Sequence, residues 1–279
     1  MSTPSVTAIL RSSELTRRRL APNPGPMSLD GTNSYLIGAP DIAQPGGAGY
    51  ASCVVVDPGP LDEQHLQELA AAGTVELILI THRHTDHTAG AARLHELTGA
   101  PVRAADPRHC HGGPVLEDNE TIRGAGVVIR VLATPGHTSD SVCFHLPDDG
   151  TAGTVNPAGS VLTGDTILGR GTTMLDFPDG TLGDYLASLD RLERLGPATV
   201  LPAHGPVLPA LDEVTRAYRE HRQDRLTQIR AALGALGRDA GVQAVTDAVY
   251  ADIDRAVRPA AEISVAAQLD YLQTEYDRR

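Results

Sequence analysis

The sequence contains no lysine, so all 23 of its basic residues are arginine. This absence excludes lysine Schiff-base chemistry and the phosphate-binding loop that depends on a lysine. Positive charge is also scarce overall, because the net charge is −12. Proteins that bind nucleic acid non-specifically are usually basic, since their cations neutralise phosphates. The composition therefore argues against a general polyanion-binding protein.

Cysteine is rare, and long hydrophobic runs are missing. Cys53, Cys110 and Cys143 are odd in number and widely spaced, which predicts a reducing compartment and not a disulfide framework. The first twenty residues lack the apolar core of a signal peptide. No segment is both long enough and apolar enough to cross a bilayer. We therefore expect a cytoplasmic protein with no membrane partner.

The length of 279 residues suits one large domain with a small appendage. Up to about residue 209, short β-branched runs alternate with helical patterns, which predicts an α/β architecture. The predicted strands are 53–56, 75–80, 127–132, 142–145, 161–162 and 199–201, with an earlier strand where Val6, Ala8 and Leu10 alternate. The predicted helices are 62–72, 89–98 and 182–195. Two Gly/Pro-rich insertions, 39–51 and 147–160, are interpreted as long hairpin loops.

After residue 209 the pattern becomes helical throughout. Residues 211–236 have apolar positions near helical spacing, and 242–250 and 262–272 predict two further helices. We therefore expect a catalytic domain over residues 1–209 and a helical domain over 210–279.

Residues 81–87 read Thr-His-Arg-His-Thr-Asp-His, between a predicted buried strand and a predicted helix. His82 and His84 lie two apart along extended backbone, so their side chains point the same way and reach one metal ion. Asp86 and His87 follow at the start of the helix, where they can face a second metal. Four potential ligands within six residues are hard to explain by packing.

Three more candidate ligands directly follow predicted strands. His137 lies in Thr-Pro-Gly-His-Thr, Asp165 in Thr-Gly-Asp-Thr and His204 in Leu-Pro-Ala-His-Gly. In α/β folds, functional sites form at the carboxyl ends of strands. These residues together predict a binuclear metal site. The histidines interpreted as ordinary surface or core residues are His65, His95, His109, His111, His145 and His221.

The His-x-His-x-Asp-His motif, with the later Pro-Gly-His-Thr, Gly-Asp and Pro-Ala-His-Gly, resembles the metallo-β-lactamase fold superfamily. The resemblance implies an αββα sandwich with two zinc ions at one edge, although iron or manganese also suits such nitrogen and oxygen ligands. Asp57, in Val-Val-Asp-Pro-Gly, matches a family position that supports a ligand. The implied ligands are His82, His84 and His137 for one zinc, Asp86, His87 and His204 for the other, and Asp165 between them.

The chain also resembles, over nearly its whole length, the β-lactamase-like protein 2 subfamily. The matching segments are 23–27, 31–33, 35–36, 167–173 and 204–206, followed by a helix that contains Tyr218, His221, Arg222 and Arg225. Members of that subfamily include single-strand-specific endoribonucleases and uncharacterised bacterial hydrolases, and their C-terminal region resembles a winged helix. The likeness implies a winged-helix-like domain here. Because the sequence ends directly after the third predicted helix, we expect the wing strands to be missing.

The predicted chemistry is hydrolysis. Two metal ions roughly 3.5–4 Å apart hold a hydroxide between them at neutral pH. Asp86 is expected to orient that hydroxide and to carry its proton, as a carboxylate within reach of bound water can. The subfamily resemblance favours endoribonuclease or phosphodiesterase activity on single-stranded RNA. In that case Thr172 and Thr173 would donate hydrogen bonds to phosphate, and Arg222 and Arg225 would contact the strand.

Other activities remain open at this point. Thioester hydrolysis, similar to that of glyoxalase II or of acyl-carrier and coenzyme A thioesterases, fits the ligands equally well. The lack of lysine argues against a glutathione site of the usual kind. β-Lactam hydrolysis is disfavoured, because enzymes of that class do not use a bridging aspartate such as Asp165 and are normally exported. A non-catalytic metal- or RNA-binding scaffold is disfavoured, because every ligand position is filled. We expect the helical appendage and the loop 168–176 to wall the active-site mouth.

Overall fold

Two β-sheets form the centre of the protein. The computed structural model describes residues 9–40, 50–150, 156–252, 254 and 257–277. The first sheet has the order β1-β2-β3-β4-β5-β6, antiparallel as far as β4 and parallel from β4 to β6. Its strands are β1 (Leu10–Arg11), β2 (Thr16–Leu20), β3 (Asn33–Ile37), β4 (Ser52–Val56), β5 (Thr74–Leu79) and β6 (Val102–Arg103).

The second sheet has the order β11-β10-β9-β8-β7, in which only the pair β10 and β11 is parallel within the described ranges. Its strands are β7 (Thr121–Gly124), β8 (Val127–Ala133), β9 (Val142–Leu146), β10 (Ser160–Gly164) and β11 (Thr199–Pro202). An apolar core joins the two sheets: Tyr35 and Val54 of the first pack with Ile129 and Phe144 of the second. The sheets therefore lie face to face.

Helices cover both outer faces. The helices are α1 (Glu63–Ala70), α2 (Thr85–Thr88), α3 (Ala91–Thr98), α4 (Leu182–Glu193), α5 (Leu211–Leu236), α6 (Val242–Val249) and α7 (Arg258–Asp277). Leu66 of α1 and Leu94 of α3 pack on the first sheet. Tyr185 of α4 and Leu226 of α5 belong to the core on the second sheet. The layers are therefore α, β, β, α, and the predicted α/β sandwich class is confirmed.

Strand β4 shows why these strands have continuous apolar sequences. Val54 and Val56 point into the core between the sheets. Cys53 and Val55 point outward, into the core beneath the helices. Alternate residues of a strand face opposite sides, so a strand covered on both sides needs apolar residues at every position.

Most of the predicted elements match the structure within a few residues. The predicted helix 89–98 is wrong at its start, because α2 ends at Thr88 and α3 begins at Ala91. The last helix is longer than predicted, as Arg258–Asp277. Strands β2, β3, β6 and β7 were not predicted. Val6, Ala8 and most of the insertions 39–51 and 147–160 lie outside the described residues, whereas Leu10 lies in β1.

The C-terminal region is helical. Its described residues form α5, α6 and α7 and no strand. Helix α5 has the predicted bounds and begins where the Leu211 amide donates to the carbonyl oxygen of Ala198, at 2.8 Å. The division at residue 209 and the likeness to a winged helix stay predictions. Among the described residues, no helix combines the length and the apolar character needed to cross a membrane.

Candidate metal centre

Side chains from both sheets converge at one edge of the sandwich. His82 and His84 follow β5, and Asp86 and His87 lie on the short helix α2. The other three follow strands of the second sheet: His137 after β8, Asp165 after β10 and His204 after β11. The structure thus brings together all seven residues predicted as ligands, in two groups.

The first group is formed by three imidazoles. The Nδ1 atom of His84 lies 3.0 Å from Nε2 of His82 and 3.1 Å from Nε2 of His137. Oδ2 of Asp165 lies 3.7 Å from Nε2 of His137. These nitrogens are close enough to share one metal ion.

The second group lies on the other side of Asp165. Oδ2 of Asp86 lies 3.2 Å from Nε2 of His204 and 3.6 Å from Nε2 of His87. Oδ1 of Asp165 lies 3.4 Å from Nε2 of His204 and 3.6 Å from Nε2 of His87. One oxygen of Asp165 therefore faces each group, which is the arrangement that the resemblance implied.

Each of the five imidazoles forms a hydrogen bond outward through its other ring nitrogen. The outer acceptors are Thr81 Oγ1 for His82 (3.0 Å), Asp176 Oδ2 for His84 (3.1 Å), Asp57 Oδ2 for His87 (2.8 Å), the Met174 carbonyl for His137 (2.6 Å) and the Gly31 carbonyl for His204 (3.1 Å). Carbonyl and carboxylate oxygens only accept hydrogen bonds. The Thr81 hydroxyl donates its own hydrogen to Asp57, at 2.7 Å, so it also accepts from His82. The outer nitrogen therefore carries the hydrogen in every case.

When the imidazoles are neutral, as metal ligands are, their inner nitrogens have lone pairs that point toward one another. Such lone pairs repel across 3.0–3.1 Å unless a cation lies between them. In the described part of the chain, Nε2 of His87, Nε2 of His204 and Oδ1 of Asp165 are buried without a hydrogen-bond partner. Buried polar atoms normally have partners. Outward hydrogen bonds of this kind are typical of metal-binding histidines. The residues present thus fit a two-metal centre.

The electrostatics of the centre favour the same chemistry. Burial lowers the pKa of His82 and of His137, so both imidazoles are neutral, as metal ligands must be. Burial also opposes charge on Asp165, but the nearby His87 and His204 more than offset this and hold its pKa well below the usual range. Burial lowers the pKa of His204, yet the adjacent carboxylates of Asp165 and Asp86 raise it to about 10. A proton must therefore leave this group when a cation binds.

Asp57 accepts hydrogen bonds from His87 of the cluster and from Thr81 beside it. Its Oδ1 accepts a hydrogen bond of 2.8 Å from the Thr81 amide, and its Oδ2 accepts from the Thr81 hydroxyl and from Nδ1 of His87. Its φ is +51°, a conformation that aspartate tolerates better than most residues. Asp57 thus joins the end of β4 to the end of β5 and orients His87.

Asp176 and Arg83 were missed by sequence reasoning. Asp176 accepts from Nε2 of His84 and forms an ion pair with Arg83. Arg83 also lies 3.0 Å from Asp179 and 3.9 Å from Asp140. Arg83 lies between His82 and His84 in the motif of residues 81–87, which is only a weak indication that it has a role at the site. Asp176 lies 92 residues from His84 in a segment with no motif, so only the fold reveals the contact.

The residues predicted to bind RNA do not form one exposed face. Arg222 is 5% exposed, donates to the carbonyl oxygen of Thr173 and lies over the Tyr185 ring. The Thr173 hydroxyl is buried and donates to the backbone oxygen of Asp165. These two residues hold the loop 168–176 in place. Substrate contact by the exposed Thr172 and the half-buried Arg225 stays a prediction.

An αββα sandwich with clustered histidines and aspartates at its strand ends defines a class of metal-dependent hydrolases, and this chain is such an enzyme. Residues 28–204 match the sequence model of the metallo-beta-lactamase superfamily. The chain belongs to the metallo-β-lactamase superfamily, as its motifs predicted.

Curated relatives are similar over most of the chain. Lactamase-like protein vrtG of Penicillium aethiopicum is 31% identical over 96% of this chain and 84% of its own length. The beta-lactamase-like protein 2 homolog of Caenorhabditis elegans is 32% identical over 92% of this chain and 83% of its own. The atrochrysone carboxyl ACP thioesterase of Aspergillus fumigatus is 30% identical over 80% of this chain and 66% of its own.

A solved structure shares the fold over almost the whole chain. The beta-lactamase domain protein of Burkholderia ambifaria superimposes with a TM-score of 0.75, at 21% sequence identity. The match covers 98% of this chain and 90% of that one. At this identity the likeness concerns the fold alone.

Proposed function

We propose that this enzyme hydrolyses acyl thioesters at a two-metal centre. The observation that carries the hydrolase chemistry is the convergence of five imidazoles whose outer nitrogens are all fixed as donors. The choice of thioesters is supported by the relative that is named as an acyl-carrier-protein thioesterase. The acidic net charge of −12 also weighs against an RNA substrate.

The ligand assignment follows the two groups. His82, His84 and His137 would hold one metal ion, Asp86, His87 and His204 the other, and Asp165 would contact both. We propose zinc as the metal, with iron and manganese as the other ions that this donor set suits. When bound, the metal ions lower the pKa of a water molecule to roughly 7 and polarise the carbonyl oxygen of the substrate.

Asp86 is proposed to move the proton. Its carboxylate lines the cavity of about 550 Å³ that opens onto the centre. Burial raises the pKa of Asp86, but the adjacent His204 and His87 more than offset this and lower it, so the group is ionised. A carboxylate oxygen of Asp86 takes a proton as the water oxygen attacks the thioester carbon. The carbon–sulfur bond then breaks, and the thiolate leaves and takes the proton back.

A thiolate needs little help to leave, because a free thiol has a pKa of about 8.5. The mouth of the centre needs no strong general acid for this reaction. The products are one carboxylic acid and one thiol, which balances the water consumed.

Phosphodiester hydrolysis is the second candidate, because Arg83, Arg108 and His109 line the same cavity. Both arginines already have carboxylate partners, however. Arg83 pairs with Asp176 and Asp179, and Arg108 pairs with Asp106 at 2.5 Å. A phosphate would have to compete with those carboxylates, which favours the uncharged thioester.

A side-by-side assay tests the proposal. The zinc-loaded protein is offered acyl thioesters of N-acetylcysteamine and, separately, single-stranded RNA. We expect thiol release with the thioesters, and we expect His84→Ala to lose bound metal and thiol release together. His111→Ala changes a histidine outside the cluster and should keep both. RNA cleavage without thiol release would overturn the proposal, and so would full activity of a metal-free His84→Ala protein.

A further inference from the structure

We propose that a second cavity, beside the metal centre, binds the acyl group of the substrate. This inference rests on the proposed thioesterase function. It adds that the enzyme selects its substrates by their acyl group. The cavity has a volume of about 440 Å³ and lies between the loop 168–176 and helices α5 and α7. That volume lies in the range of roughly 300–1,000 Å³ typical of small-molecule sites.

The second cavity adjoins the cavity at the metal centre. Met27 and Met174 line both the cavity at the centre and the second cavity. Met27 is 58% exposed, so its side chain has room to move. Methionine side chains are flexible and adapt to the shape of an apolar ligand. An acyl group attached to a carbonyl at the metal centre therefore reaches the second cavity by passing the two methionines.

The walls of the second cavity indicate the chemistry of its occupant. The apolar lining residues are Pro26, Leu29, Leu168, Val257, Ala260 and Ala261, with the ring of Tyr250. The cationic or titratable ones are Arg170, His221, Arg222 and Arg225, and the described lining residues include no carboxylate. Arg170 also pairs with Asp30, outside the lining, at 2.7 Å, and Arg225 donates to Gln228 at 2.7 Å, so each has further N–H groups for a ligand. An apolar acyl group with electron-rich oxygen substituents fits such walls, because its carbon skeleton is buried while its oxygens face donors.

The loop 168–176, which lines the second cavity, is firmly held. The Tyr218 hydroxyl on α5 accepts a hydrogen bond of 3.0 Å from the Leu168 amide and lies 3.0 Å from the Gly171 carbonyl. Arg222 donates to the Thr173 carbonyl. Tyr218 and Arg222 are both buried. Helix α5 therefore fixes the loop 168–176, and the cavity exists before a substrate binds.

The solvent-exposed rim of the first cavity suits the thiol part of the substrate. Arg108 lines the mouth of the first cavity, and its side chain is 77% exposed. A long thiol arm can enter from solvent there while the acyl group points inward. The geometry thus assigns selectivity for the acyl group to α7 and the loop 168–176.

A cavity-filling substitution tests the assignment. Ala260 is half-buried on α7 and lines the second cavity. We expect Ala260→Trp to lower kcat/KM for the 2-naphthoyl thioester of N-acetylcysteamine by at least about ten-fold, or about 1.4 kcal/mol. The acetyl thioester, which does not reach the cavity, should stay within about two-fold of wild type. Ala266→Trp is the matched control, because Ala266 is also half-buried on α7 but does not line the cavity.

A second variant keeps the test valid if Ala260→Trp does not fold. Val257 lines the cavity and is 52% exposed, so Val257→Trp should fold normally and show the same selective loss. An equal loss on both thioesters, or no loss on the naphthoyl thioester with either variant, would overturn the acyl site while the thioesterase function stands. Thiol release from neither thioester by the wild-type enzyme would instead overturn the proposed function, and the acyl site with it.

Discussion

At the scale of single residues, His65 is a buried titratable group outside the metal centre. It lies on α1, is 1% exposed, and its Nε2 lies 2.9 Å from the Ser34 hydroxyl. Burial, helped by the nearby Arg19, lowers the pKa of His65 to about 4. The folded protein therefore keeps this imidazole neutral under conditions in which the unfolded chain protonates it.

This shift predicts a pH-dependent stability. Between pH 6.5 and 4 the unfolded state binds a proton that the folded state does not, so the free energy of unfolding falls as the pH falls. From pH 7 to pH 5 the loss due to His65 is about 2 kcal/mol. In His65→Gln the free energy of unfolding should fall between pH 7 and pH 5 by about 2 kcal/mol less than in wild type. Urea unfolding at the two pH values measures the difference.

A control variant tests whether the effect comes from the imidazole of His65. Gln64→Ala changes an exposed residue of the same helix that does not titrate, and should keep the wild-type pH dependence. The contribution of the metal centre is common to all three proteins and cancels in the comparison. Identical slopes for wild type and His65→Gln would show that His65 is not the source of the effect.

Residue identity predicted the candidate ligands and one of their supports, Asp57, but not Asp176. The seven candidate ligands could be found because histidines and aspartates follow apolar strands at the spacing that a metal requires. The contact of Asp176 with His84 could not be found, since it depends on the path of a loop between β10 and α4. Thr172 and Thr173 look equivalent in sequence, yet only Thr173 is buried by the fold of that loop.

At the scale of elements, the turn after β8 places His137. Gly136 has a φ of +136°, and a Cβ there would overlap the backbone of Tyr185 on α4. The turn therefore packs directly on the helix. We expect Gly136→Ala to lower the free energy of unfolding by more than about 3 kcal/mol, because a clash with backbone adds to an unfavourable φ. The same variant should also bind less metal, since His137 must move. Urea unfolding and metal analysis measure the two effects.

Gly99→Ala distinguishes the clash from backbone strain. Gly99 ends α3 with a φ of +74°, and a Cβ there would meet nothing within 4 Å. Its replacement should cost only about 1 kcal/mol and leave the metal content unchanged. Equal losses in the two variants would contradict a packing role for Gly136.

Two elements show why the sequence predicted some of the structure and not the rest. Strand β2 contains Arg17 to Arg19, a charged run that does not look like a strand. The structure explains it, since Arg19 pairs with Glu68 on α1.

Gly90 lies inside the predicted helix 89–98. Its amide instead donates to Gly59, and a Cβ would press on Leu66, so the helix breaks where α1 lies close. Both features depend on partners distant in sequence.

At the scale of the whole molecule, one apolar core joins the second sheet to the C-terminal helices. Val161 and Val200 of the sheet, Leu189 of α4, Leu226 of α5 and Val265 of α7 belong to the same cluster. We therefore predict a single cooperative unfolding transition for the full chain, although two domains were expected from sequence. In calorimetry the measured and van't Hoff enthalpies should agree.

A leucine pair on α5 checks that prediction. Leu226 is 1% exposed and Leu236 is 49% exposed. Leu226→Ala should cost about 2–5 kcal/mol and shift the whole transition downward, because the core is shared. Leu236→Ala should change stability by less than about 0.5 kcal/mol. A separate early transition in Leu226→Ala would show instead that the C-terminal helices unfold on their own.

The seven converging side chains have a mechanical consequence. Their elements follow β5 of one sheet and β8, β10 and β11 of the other. Nδ1 of His84 lies 3.1 Å from Nε2 of His137. If one sheet moved along the other by a single residue, about 3.3 Å, the displacement would be larger than this distance and the two nitrogens would separate. The distance between these two imidazoles therefore reports the relative position of the two sheets. A paramagnetic ion such as cobalt, placed there, would let sheet motions be followed by spectroscopy during unfolding.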